Sequence, residues 1–113
     1  MYDLEERTIK LAIAVRNFTQ ILPKTIANIE DAKQLVRSSG SIGANYIEAN
    51  ESLSRKDFIM RLKISRKEAK ETIYWLNIIL KTNENQEIMS TCEYLIKETS
   101  EIRNILSAIL KKF

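Results

Sequence analysis

Leu4, Leu11, Val15, Phe18 and Leu22 recur along the chain at steps of three, four and seven, with Thr8 in the same row. The side chains between them are mostly polar, which is the 3.6-residue signature of an amphipathic helix. The same spacing returns in Phe58, Leu62, Ala69, Leu76 and Ile79, and again in Ile88, Cys92, Leu95, Ile102, Leu106, Ile109 and Phe113. Between these rows, Ile29, Ala32, Leu35, Val36, Ile42, Tyr46, Ile47 and Leu53 fill one arc of a second helix. No stretch alternates with the period of a strand.

Helix starts are read from a polar cap followed three residues later by a side chain that can reach back. Asp3 with Glu6, Asn28 with Asp31, Ser54 with Asp57 and Asn83 with Gln86 fit that pattern, and Pro23 stops the first helix. The spacing therefore predicts helices over about 3–22, 26–52, 54–82 and 86–112. Short connections between amphipathic helices define an all-α protein, a single domain over 1–113 folded as an antiparallel up-down-up-down four-helix bundle.

The second helix holds both glycines of the chain, in "SSGSIGAN". Gly40, Gly43 and Ser39 fall on its apolar arc, so they are expected to let a backbone approach or to make room for Trp75 or Phe58. A mid-helix glycine costs roughly 1 kcal/mol relative to alanine, so close packing must compensate. No strand precedes the glycines and their spacing fits no phosphate-binding loop. The opposite face carries Ser41, Asn45 and Glu48, flanked by Arg37, Ser38 and Ser52. A solvated helix face usually carries Lys and Glu, whereas short polar side chains suit a surface that something covers.

"RSSGSIGANYIEA" followed by "SRKDFIMRLKISRKEAKETIYWL" resembles the four-helix-bundle family of 23S rRNA-intervening-sequence proteins. Ser41, Ile42, Asn45 and Glu48 match one motif of that family, and Phe58, Glu68, Ala69, Glu71, Trp75 and Leu76 resemble a second. Many members have Gly after the motif Glu, where this chain has Ala49 and Asn50. The resemblance implies a bacterial protein, encoded within or beside an inserted rRNA segment or free-standing, whose biochemical role is mostly unassigned. It also implies ring-like homopentamers, and kinship with accessory subunits of the reverse transcriptase of diversity-generating retroelements. The family name records a genomic location and does not demonstrate RNA binding.

Charge is concentrated. Residues 54–82 hold eight basic and three acidic side chains, a local excess of +5 in a chain whose net charge is +3. On the wheel of the third helix, Lys56, Lys63, Arg66, Lys67 and Lys70 cluster opposite the core stripe, joined by Tyr74 and Lys81. A row of cations at helical spacing can track phosphates; it can also simply keep a bundle soluble. A flank of Ile64, Glu68, Glu71, Trp75 and Ile78 repeats at heptad spacing. With the apolar end "ILSAILKKF", it points to a homo-oligomer.

Apolar content of 44% and charged content of 29% are ordinary for a soluble globular protein. Three acids in the first six residues are wrong for a signal peptide, and no apolar run approaches membrane-spanning length. A single cysteine makes an internal disulfide impossible and the cytosol the natural compartment. The absence of histidine removes the usual Ser-His and Cys-His nucleophile arrangements and the Glu-x-x-His pattern of di-iron bundles. Cys92 reads as a small core hydrophobe. Glu48, Glu68 and Glu71 fit salt bridges to Arg37 or Lys67 better than a metal, so no catalytic residue, metal site or cofactor is expected.

Two readings follow. In the first, a non-enzymatic oligomer binds nucleic acid through the third helix, largely without sequence preference. In the second, it is an interaction scaffold or an accessory subunit of a reverse transcriptase or another RNA-processing enzyme, presenting Ser41, Asn45 and Glu48 to a partner.

Overall fold

The computed structural model describes residues 3–113 and contains four helices: α1 (Leu4–Thr19), α2 (Ile26–Asn50), α3 (Arg55–Thr82) and α4 (Gln86–Leu110). No strand occurs among the described residues. α2 packs most extensively on α3, α3 on α4, and α1 on both α2 and α4. α1 and α3, and α2 and α4, stand diagonally with no close backbone approach. The result is a square bundle, 45 × 26 × 19 Å.

The caps explain the helix starts, with two corrections. Asp3 accepts the Glu6 amide and Ser54 accepts the Asp57 amide. The cap of α2 is Thr25, which accepts the Asn28 amide, and the cap of α4 is Asn85, which accepts the Ile88 amide. Each such cap is worth about 1 kcal/mol. Asn28 and Asn83, expected to be caps, instead face each other. Asn28 Nδ2 donates to Asn83 Oδ1 at 2.9 Å, and Asn83 Nδ2 donates to Asn28 Oδ1 at 3.0 Å. Asn28 Nδ2 also donates to the Pro23 carbonyl, so the pair clamps the α1–α2 connection against the end of α3.

α1 stops at Thr19 rather than Leu22. The residue before a proline is driven out of helical conformation, and the chain leaves the helix through a turn while Leu22 stays buried.

The core is the predicted stripes, pressed together. Val15, Leu35, Ile42, Leu62, Leu76, Ile79, Leu95, Ile102 and Leu106 are all effectively inaccessible to solvent. Each contributes about 1.5–3 kcal/mol of burial free energy. Three assignments to the α2 arc fail: Ile29 and Ile47 are exposed, and Leu53 stands fully in solvent in the α2–α3 connection. An arc wide enough to hold them exceeds the strip that two neighbouring helices can cover. Phe113, at the end of the α4 stripe, is also exposed. Its ring lies 5.2 Å from that of Phe58, and the Arg55 guanidinium sits over it.

The two glycines differ. A Cβ added at Gly43 would lie 2.5 Å from Thr8 Oγ1 and 2.9 Å from Thr8 Cβ. The neighbour that needs the space is therefore Thr8 of α1, not Trp75 or Phe58. At Gly40 the nearest atom is Arg16 Nη2, at an ordinary 3.7 Å.

Candidate nucleic-acid interface

α3 turns three faces outward from one core stripe, and each is built by helical spacing. Lys56, Lys63, Lys67 and Lys70 point straight away from the core and are exposed. From Lys56 to Lys70 the helix rises about 21 Å. Tyr74 continues the line one turn beyond Lys70 and is 57% exposed. Among the described residues, none of Lys56, Lys63, Arg66, Lys67 and Lys70 forms an ion pair with a carboxylate. The row is left electrostatically uncompensated at close range, although Lys67 lies near enough to Glu71 to favour its ionised form.

Arg66 departs from the row. It is half-buried and leans toward α4, where its Nη1 approaches the Ser107 hydroxyl at 3.5 Å. There it lines a groove of about 360 Å³ with Lys63, Lys67, Lys70, Arg103 and Ser107. Arg103 is a basic-face residue that sequence reasoning missed. Its helix carries a net negative segment, and only the packing of α3 on α4 brings it beside Lys70.

The flank toward α2 is a polar seam. Arg37 Nη2 donates to Glu68 Oε1 at 3.1 Å and also to Glu71. Trp75 Nε1 donates to Glu71 Oε2 at 3.2 Å. Deeper in, the Thr72 hydroxyl donates to the Ser38 hydroxyl at 2.9 Å and the Ser65 hydroxyl to the Ile42 carbonyl at 2.7 Å. Toward the α2–α3 connection, Asn45 Nδ2 donates to the Ser41 carbonyl, and Arg61 Nη1 reaches Asn45 Oδ1 at 3.4 Å.

This corrects the reading of Ser41, Asn45 and Glu48 as lying opposite the core. Ser38 is buried, Ser41 and Asn45 are half-buried, and Glu48 is exposed. The covering surface that short polar side chains call for is α3 of the same chain. Glu68, expected on an outer flank, is buried under Arg37.

Electrostatics follow the seam. Burial opposes ionisation of Glu71, but hydrogen bonds from Trp75 and Arg37, and the charges of Arg37 and Lys67, outweigh it and hold its carboxyl below the ordinary range. The hydrogen bond to Glu68, then that to Glu71, raises the Arg37 guanidinium above its usual value. On the far side, Arg7 of α1 donates to Glu98 and Glu101 of α4. Cys92 is buried, and burial, followed by the charge of Glu93, pushes its thiol up to about 12. No helix among the described residues is long and apolar enough to cross a membrane.

An all-α square bundle with a polar α2–α3 seam and a cationic ridge on α3 is the class that this geometry defines. The model of the family described as 23S rRNA-intervening sequence protein matches residues 2–108, and the chain belongs to that family. It is also similar to the crystal structure of a protein of unknown function from the S23 ribosomal protein family of Bacteroides thetaiotaomicron VPI-5482. That similarity has a TM-score of 0.83 and 32% identity, covering 96% of this chain and 99% of the other. A comparison with curated proteins gave no match.

Proposed function

We propose that this protein is a non-enzymatic, self-associating helical bundle that binds nucleic acid through the basic face of α3. The observation that carries the reading is the uncompensated row of Lys56, Lys63, Lys67 and Lys70, extended by Arg66 and Arg103 across the α3–α4 groove. Two of the three acids of the same helix, Glu68 and Glu71, are engaged by Arg37 instead. The contacts are electrostatic and largely indifferent to base sequence, because they reach phosphates. Burial and the raised pKa of Cys92 argue against thiol chemistry. Self-association would repeat the ridge and raise avidity.

The partner-capture reading draws less support. Of its three proposed contact residues, Ser41 and Asn45 are half-buried at the α2–α3 seam, and Asn45 is bonded there, so only Glu48 stands exposed.

A labelled RNA tests the proposal. It should shift at low salt and be released as salt rises, with a slope of about −3 in log affinity against log salt for four phosphate contacts. Reversing Lys63, Arg66, Lys67 and Lys70 to Glu should abolish the shift while circular dichroism still reports a folded helical protein. Retained binding in that variant would refute the assignment.

A further inference from the structure

We infer that the basic face takes single-stranded nucleic acid in preference to duplex, with one unpaired base stacked on Tyr74; this rests on the nucleic-acid reading of the same face. Single-strand sites combine cations that follow the backbone with an aromatic ring on which a base can lie. The ridge supplies both on one line. Lys63, Lys67, Lys70 and Tyr74 advance by three or four residues, so each step is about 4.5–6 Å along the axis. That is comparable to the reach of one nucleotide in an unstacked strand. A duplex keeps its base faces inside its own stack and offers Tyr74 nothing to cover.

The ring is also held ready. Trp75 packs against Tyr74 with ring centroids 5.0 Å apart and planes at 80°. Trp75 is itself fixed by its hydrogen bond to Glu71, and Glu71 by Arg37 of α2. A tyrosine that is 57% exposed yet braced from behind loses little freedom when a base settles on it. Beside the row, the groove between Arg66, Arg103 and Ser107 provides a polar recess for a backbone phosphate.

The experiment compares twelve-nucleotide oligo(dT) and oligo(rU) with a twelve-base-pair hairpin duplex, at low salt, on the intact protein. Both single strands should bind more tightly than the duplex, and within a few-fold of each other, since neither a phosphate contact nor a ring stack reads the 2′-hydroxyl. Tyr74→Ala should weaken single-strand binding about fivefold or more and leave duplex binding unchanged, while Tyr74→Phe should bind like the parent. Trp75, the only tryptophan of the chain, should change its emission with oligo(dT) more than with duplex. Duplex binding as tight as single-strand binding, or an indifferent Tyr74→Ala, would overturn the single-strand inference and leave the electrostatic reading standing. Absence of binding to every probe would overturn both.

Discussion

At Gly43, one missing methyl group sets the distance between two helices. Its hydrogen faces Thr8, whose hydroxyl donates to the Glu5 carbonyl at 2.7 Å and whose β-branched side chain has little freedom to swing aside. Gly43→Ala is expected to cost about 1–3 kcal/mol through overpacking. Gly40→Ala, where the nearest atom is 3.7 Å away, should instead stabilise by up to about 1 kcal/mol through helix propensity. Urea denaturation of the two variants checks the opposite signs. Partial recovery of Gly43→Ala by Thr8→Ala would tie the loss to this contact. The sequence announced that both glycines face the interior. It could not say which one is needed, because that depends on the register between α1 and α2.

At the scale of elements, the α2–α3 seam explains why so much of the recognisable motif is polar. Arg37 and Asn45 of α2 join Glu68, Glu71 and Arg61 of α3 within one chain, and Trp75 is bonded to Glu71. Glu71 gives the seam a pH dependence. Its folded-state pKa lies below the ordinary carboxylate value, so the stability it contributes is present above that value and fades as pH falls through the lowered one. Urea midpoints of the parent and Glu71→Gln should therefore differ at pH 7 and converge as pH drops below about 4. A constant gap would mean that Glu71 acts by shape alone.

The four helices and their core stripes were legible because burial follows helical period. Two caps were misplaced, since Asn28 and Asn83 carry the right chemistry for caps and their use in a cross-loop pair is a tertiary event. The lysine row was legible for the same periodic reason as the core. Arg103 was not, because its place beside Lys70 exists only once α4 is docked.

For the molecule as a whole, two of the apolar surfaces left exposed stand on different sides. Ile9 is 50% and Ile13 53% exposed on α1, and Ile47 of α2 lies near them around a groove of about 320 Å³. On α3, Ile64, Trp75 and Ile78 remain partly accessible. If copies associate with one surface against the other, the contact is heterologous and can close into a ring. Ile13→Glu and Trp75→Ala should then each lower the mass measured by light scattering after gel filtration, as damage to the two halves of one contact. An unchanged mass in both would remove these surfaces from the assembly.

Because α1 and α3 have no close backbone approach, α1 occupies the corner diagonal to α3. The α1–α2 side bearing Ile9, Ile13 and Ile47 and the outer face of α3 bearing the lysines are thus different sides of the bundle. A contact running from the Ile9, Ile13 and Ile47 side of one copy to the Ile64, Trp75 and Ile78 flank of the next would therefore set each lysine row along the rim of a seam, so that filling one surface is felt at the other.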